Sequence, residues 1–345
     1  MPDRSRLRGT TRTRRSMIAL GGALVAGGLV LSLLSIVALD GVLAAVAFVI
    51  AVVLFFSGAG RLLWAWRGHK VDLLTWCAVG WLVLLTVLAV LVPWLPLPEG
   101  RNATAALTEP TYLEPLKYGD HLLGTNAAGL DLLTRALTGA RTSMIVSLTA
   151  VTIGVVVGGA IGIVAGYYRK GVDRTIGILT NAVLAVPPLI LLVALAAILE
   201  PNVRNMAFGL ALLTVPSMIR IARASTISFA QREFVLAARA MGANRLRIMT
   251  RDLVPNVALP LMSMAVVSIS ALIVAESSLS FLGLGIPQPE PTWGNMISEA
   301  QAGNTMEDYP FVLIVPGVFL FLTVFAFNLL GEKAQRRWDP RGGKL

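Results

Sequence analysis

Apolar residues in this chain run in long unbroken blocks. Charge-free stretches cover 17–39, 42–60, 73–98, 142–168, 175–199, 205–219, 253–275 and 309–331. A helix spans a bilayer with about 20 apolar residues, so most of these blocks each predict a transmembrane helix. The blocks 42–60 and 205–219 reach that length with one more turn, Arg61 and Arg220 carrying their charge to the interface. The pattern therefore predicts an all-α fold, a polytopic membrane helix bundle of about eight transmembrane helices. Pro187, Pro188, Pro216, Pro260 and Pro316 lie inside the blocks. A bundle tolerates them when neighbouring helices satisfy the freed carbonyls.

Composition agrees. Charged residues make up 14% of the chain and hydrophobic residues 56%, against about 25% charged in a soluble domain. The net charge of +10 invites a nucleic-acid reading, and its placement argues against one. Residues 1–16 hold six Arg and one Asp, 220–252 seven Arg and two acids, and 332–345 five basic residues and two acids. The stretch 284–309 holds four acids and no base. Positive charge marks the cytoplasmic side. Eight crossings from a cytoplasmic N-terminus put all three basic regions and both termini inside, and the acidic stretch outside. Arg101, Lys117, Arg135 and Arg141 then fall outside among several acids, so the bias is clear without being perfect.

Cys77 is the only cysteine, and His69 and His121 are the only histidines, which leaves no metal cluster or internal disulfide to expect. The first span follows an Arg-rich segment, but its apolar run exceeds a signal core of about 7–15 residues, and a second span follows at once. It reads as a retained anchor. The chain divides into a basic N-terminus, 1–16, and an accessory transmembrane hairpin, 17–70, turning at Asp40-Gly41. A first core helix, 73–98, an extracytoplasmic segment, 99–141, a core, 142–332, and a cytoplasmic tail, 333–345, follow.

Within the core, Gly154, Gly158, Gly162 and Gly166 recur every fourth residue and line one helix face. Small residues so spaced let helices approach closely, either within this chain or against a partner. Glu276 ends a charge-free run, and a carboxylate at such depth is a functional candidate. It points to a pathway or gate, or to a structural role bonded to Ser277, Ser278 or Ser280. Asn181, just before Pro187-Pro188, is a second pathway candidate. Glu290, Trp293 and Glu299 fall outside, free to meet a delivered partner or simply solvated.

The most informative stretch is Glu233 to Asn256, a polar Arg-rich insert between spans. Phe234, Ala237, Ala238 and Met241 follow i, i+3, i+4, i+7 and predict one apolar helix face. Gly242 interrupts, and Asn244–Asp252 predicts a second helix that Pro255 ends before the next span. A solvated or interfacial loop helix accounts for this pattern alone. No Gly-x4-Gly-Lys-Ser/Thr phosphate loop occurs, and the Gly-rich run 154–171 lacks the Lys-Ser/Thr ending. The chain is therefore not expected to be an enzyme.

The insert resembles the cytoplasmic loop of ABC importer permeases. Their pattern runs Glu-Ala-Ala, three residues, Gly, nine residues, Ile-x-Leu-Pro. Ala237, Ala238, Gly242 and Pro255 match it, while Leu236 and Asp252 replace the Glu and the Ile. More specifically, the chain resembles the C-type subunit of the dipeptide/oligopeptide/nickel permease family. His121–Ser143 (with Asn126 and Leu130 departing from the motif), Ala165–Arg174, Glu276–Ile297 and Phe327–Arg341 carry that likeness. It covers about residues 73–341, leaving 1–70 outside.

The resemblance implies a type I ABC importer permease core of six helices, plus the N-terminal hairpin. It also implies a bacterial inner-membrane location, a second permease forming a heterodimer, two ATPase subunits, and an extracytoplasmic substrate-binding protein. ATP and Mg belong to the ATPases, and no cofactor is expected in this chain. Loop 225–255 would couple the pore to the ATPases through Glu233, Phe234, Ala237, Ala238, Arg239, Met241, Gly242, Arg245, Leu253 and Pro255. Di- or oligopeptides are the expected cargo. Nickel or another small solute is the alternative within the family. Outside it stand a self-sufficient secondary transporter or channel, and a membrane scaffold or receptor.

Overall fold

The computed structural model describes residues 18–28, 30, 31, 54, 58, 72–102, 104, 106, 108–117 and 121–338. Two compact units divide inside a helix, Met1–Val79 and Gly80–Leu345. In the first, an apolar helix α1 covers Ile18–Gly28. The expected second span at 42–60, its turn at Asp40-Gly41 and the basic segment 1–16 lie outside the described residues, apart from Leu54 and Gly58.

Helix α2, Leu73–Leu91, runs across the division and ends in a tight turn at Val92–Trp94. The second unit continues with α3 (Leu132–Tyr168), α4 (Lys170–Leu184), α5 (Pro188–Ala196) and α6 (Val203–Phe229). Then come α7 (Glu233–Ala240), α8 (Arg245–Phe281), α9 (Trp293–Glu299), α10 (Thr305–Asp308) and α11 (Phe311–Trp338). No β-strand occurs among the described residues. Five helices, α2, α3, α6, α8 and α11, are long and apolar enough to cross a membrane. The pair α4–α5 makes a sixth span if taken together, bent by 81°. The bend falls where sequence chemistry demands it. Pro188 opens α5, and the residue before a proline is pushed out of helical geometry; Pro187 sits at φ −55°, ψ 130°.

Two helix boundaries differ from expectation. Helix α3 starts ten residues before 142, because Asp131 caps it by accepting from the Thr134 amide at 2.8 Å. Arg141, which ends the charge-free run, and Arg135 before it lie inside its first three turns. Pro255 does not end a helix. A π-helical turn at Ile248–Leu253 takes up the mismatch, and α8 runs on unbroken. The Asn256 side chain donates through Nδ2 to the Asp252 carbonyl at 2.7 Å across this turn.

The glycine stripe packs within the chain. Cβ atoms at Gly154, Gly158, Gly162 and Gly166 would lie 2.5 Å from Thr214, 2.7 Å from Val215 O, 2.6 Å from Ile219 O and 2.8 Å from Arg223 O, all on α6. Only glycine permits that approach. A four-residue spacing overshoots the α-helical turn of about 3.6 residues, so the stripe would drift around a straight helix. A π-helical turn spanning Gly154–Gly158 absorbs part of that drift. Elsewhere α8 meets α11 at Gly331, which faces Val267, and at Ser270, 2.9 Å from Asn328 Oδ1. Trp81 Nε1 donates to Thr323 Oγ1 at 3.1 Å, joining α2 to α11. Between these contacts lies the apolar core, with Leu85, Leu137, Met218, Leu253 and Ile273 among its members.

Candidate functional site

Helix α3 has 37 residues, about 55 Å at 1.5 Å per residue. Its two ends lie far apart, and each carries a polar cluster.

At the Tyr168 end sits α7 with the turn that follows it. The turn is a Schellman motif. The Gly242 amide donates to Arg239 O and the Ala243 amide to Ala238 O, both at 3.0 Å. Gly242 has φ +82°, a conformation that glycine adopts without cost and L side chains resist. Space is not the reason for glycine, since a Cβ there would meet nothing within 4 Å. Asn244 then caps α8, accepting from the Arg247 amide at 2.8 Å.

The helix faces differ from the periodicity reading by one residue. Val235, not Phe234, is fully enclosed, with Ala238 half-buried beside it. Ala238 therefore packs inward and leaves the predicted outer face. Phe234, Ala237 and Met241 stay exposed, Met241 at 82%, joined by Leu236 and by Leu246 at 66%. Glu233, Arg239, Arg245 and Pro255 are also exposed. Leu253, another of the coupling candidates, is fully buried in the core. Two contacts had no forewarning in the pattern: Arg239 lies over the Tyr167 ring at 5.5 Å, and Arg245 over Tyr168 at 5.8 Å. Nearby, Arg223 of α6 clasps Asp173 of α4 with two donors, Nη2 to Oδ2 at 2.8 Å.

At the Leu132 end, Arg135 is 1% exposed and ion-paired with Glu299. Glu299 also accepts from Asn126 at 3.1 Å and from Gln288 at 2.8 Å. His121 is buried between Asp131 (3.1 Å) and Glu109 (3.4 Å). Trp293 is fully buried, donating to Ala136 O at 3.0 Å, so it is no contact for a delivered partner. Glu299 is likewise engaged, whereas Glu290 pairs with Arg101 at 3.3 Å in the open. Glu99 accepts from the amides of Asn102 (3.0 Å) and Arg101 (2.7 Å), and these bonds hold its carboxyl below the usual range.

The two pathway candidates separate. Glu276 is completely enclosed. It accepts from Ser143 of α3 and from Ser280, both at 2.7 Å, with Ser277 at 3.5 Å. Ser278 instead donates to Val274 O. Asn181 is exposed on α4, among Ile178, Leu179 and Leu184, which are exposed too. Among the described residues, no group of acids, histidines and cysteines is arranged to hold a metal ion.

Residues 158–342 match the family described as binding-protein-dependent transport system inner membrane component. The di/tripeptide transport system permease protein DppC of Pseudomonas aeruginosa is 34% identical over 262 residues, 75% of this chain and 86% of that one. The dipeptide transport system permease protein DppC of Alkalihalophilus pseudofirmus is 31% identical over 264 residues, 76% and 86% of the two chains. The glutathione transport system permease protein GsiD of Pectobacterium atrosepticum is 34% identical over 221 residues, 64% and 73% of the two. A solved inward-facing MetNI methionine ABC transporter superimposes with a TM-score of 0.51 at 18% identity, covering 60% of this chain and 97% of that one. That likeness concerns the fold.

Proposed function

Because the chain belongs to the family of binding-protein-dependent transport system inner membrane components, as a permease subunit of an ABC importer, we propose that it imports di- or oligopeptides and is driven through loop 225–255. The self-sufficient transporter and the scaffold lose their place with that membership, and the hydrolytic work falls to partner subunits. The peptide reading draws on relatives named for dipeptides, for di- and tripeptides, and for glutathione, which is itself a tripeptide.

One observation supports the driving role above the rest. Phe234, Leu236, Ala237 and Met241 are exposed on a short helix and turn outside the long spans, and Leu246 is exposed in the first turn of α8. Lipid contact accounts for exposed apolar residues along a span but not for this cluster, and such patches mark docking sites. The ATPase is the occupant. Phe234 and Met241 enter its groove, while Glu233, Arg239 and Arg245 set orientation from the rim. Val235, Ala238 and Leu253 fix the loop to this chain's own core. The Gly242 turn sets the angle between α7 and α8, and Pro255 lies at the π-helical turn through which α8 enters its span.

A second permease completes the pore along the exposed apolar face of α4–α5, where Asn181 lies on the route. Glu276, enclosed by hydroxyls, holds α3 to α8 and stands off the route. A binding protein delivers cargo at the Leu132 end. Two ATPases bind ATP with Mg at the Tyr168 end, which faces the cytoplasm together with both termini. Their closure rocks the helices as bodies about the route.

The test is copurification followed by transport. The chain is expected to bring down a second permease and ATPase subunits, and the assembled complex to accumulate labelled dipeptides in proteoliposomes only with ATP inside the machinery's cytoplasmic side. Purification without ATPase, or uptake that ignores ATP, would sink the driving role. Uptake of nickel without peptide would move the cargo assignment.

A further inference from the structure

We propose that Tyr167 and Tyr168 are positioning residues, the point at which movement of α7 enters the membrane helices. The inference rests on the reading of loop 225–255 as the coupling element.

Helix α3 ends in these two tyrosines, their rings edge to face with centroids 5.6 Å apart. Each ring carries one arginine of the loop, Arg239 at 5.5 Å and Arg245 at 5.8 Å. Both separations lie within the reach of a cation–π contact, about 6 Å. Arg239 belongs to α7 and Arg245 to the first turn of α8, so the two stacks grip the Gly242 turn from both flanks. The loop's remaining hold on the chain is apolar. Val235, Ala238 and Ala243 pack against the core and form the pivot on which α7 sits.

What lies beyond the tyrosines makes them a receiver. Arg169 (φ +53°) and Lys170 (φ +48°) follow immediately, two L residues in backbone conformations that favour glycine. Such positions persist only where the surroundings over-determine them, and they cluster at moving parts. This corner leads into α4. Asp173, the fourth residue of α4, is clasped by Arg223 of α6. A push on the Gly242 turn therefore reaches α3, α4 and α6 together, and through α4 the bent pair α4–α5 with its exposed apolar face. A loop helix resting on Val235 alone would swivel without moving α4.

The test uses the complete importer in proteoliposomes, with both permeases, the ATPases and the binding protein present. The variants are Tyr167→Leu with Tyr168→Leu, and Tyr167→Phe with Tyr168→Phe. Phenylalanine keeps the ring face, and leucine keeps bulk without it. Three quantities are read: ATPase subunits retained on purification, stimulation of ATP hydrolysis by the binding protein, and uptake of labelled alanyl-alanine. The leucine pair is expected to retain the ATPases and lose about tenfold in stimulation and uptake, within the usual range of allosteric coupling. The phenylalanine pair should stay within about twofold of the unsubstituted complex on the same scale.

A leucine pair that is stimulated normally overturns the proposal. So does one that sheds the ATPases, because the tyrosines would then build the docking surface itself. A phenylalanine pair as impaired as the leucine pair overturns it too, since the ring face would not be what matters. Failure of the unsubstituted complex to retain ATPases defeats the coupling reading instead. Stimulation without alanyl-alanine uptake in the unsubstituted complex leaves the inference readable and moves only the cargo.

Discussion

At its Leu132 end, α3 buries a charge: Arg135 is sunk against Glu299, with Asn126 and Gln288 completing the carboxylate's partners. At its Tyr168 end it buries no charge, and there the contacts are a glycine face against α6, two exposed arginines lying over a half-buried and an exposed ring, and a helix pinned by one valine and two alanines. A buried ion pair fails steeply when one partner goes, because the other is left uncompensated. Exposed stacks and small apolar contacts yield gradually. The first end is therefore built to stay as it is. The second can give way at modest cost, as a surface that must follow an external partner requires.

Substitutions should expose the asymmetry. The largest effect is expected for Arg135→Met, which leaves Glu299 without its cation and should cost about 3–5 kcal/mol. Thermal unfolding in detergent measures it, and a variant melting like the parent would show that the Leu132 end is not locked by charge. Next comes Gly162→Leu, whose Cβ would lie 2.6 Å from the Ile219 carbonyl. Overpacking of this kind costs about 1–3 kcal/mol, and the same assay should rank it below Arg135→Met. Gly171→Leu is its control, since a Cβ there meets nothing within 4 Å.

Gly242 sharpens the contrast at smaller scale. Gly242→Val forces a β-branched residue to φ +82°, a local strain of about 1–2 kcal/mol. The protein should still insert and assemble, yet ATP-driven uptake should fall. Gly242→Asn, which tolerates that backbone, should keep most of the uptake, and equal loss in both would point to the missing space instead of the conformation.

The smallest effect belongs to Glu99. Its folded carboxyl titrates below the ordinary value, so its contribution is present above the unfolded pKa and lost as pH falls through the folded one. The protection of the Arg101 and Asn102 amides against hydrogen exchange, taken relative to the intrinsic rate at each pH, should fall in acid, and Glu99→Gln should remove that acid step. An acid step that survives the substitution would assign it to another carboxylate.

The spans from 73 onward were legible because a bilayer imposes one simple demand, a long run without charge. Their true ends were not. Arg141 looks like the end of a span, yet the helix runs on through it to the Asp131 cap, taking in Arg135, which Glu299, 164 residues away, neutralises, and no local pattern carries that information. Pro255 reads as a terminator because helix rules assume a uniform pitch, and a wider turn evades them. The docking face was legible in kind and misassigned in detail. An eight-residue helix with apolar groups on several sides does not declare which side its own chain will cover, and Ala238 went inward with Val235 instead of staying on the face of Phe234, Ala237 and Met241. The tyrosines escaped notice because aromatic residues at the end of a span ordinarily need nothing more than the headgroup layer.

The wide turn at Gly154–Gly158 has a further consequence. It acts as a phase shifter, rotating everything on its far side about the axis of α3 relative to a uniform helix. Each residue of an α-helix advances the azimuth by about 100°. Restoring uniform α-pitch through Gly154–Gly158 at the same length would swing Tyr167 and Tyr168 around the helix by about one residue's step while Arg135 and Ser143 kept their bearings. The chain would remain as hydrophobic as before and would insert as readily, but its two halves would no longer point at the neighbours they were cut to meet.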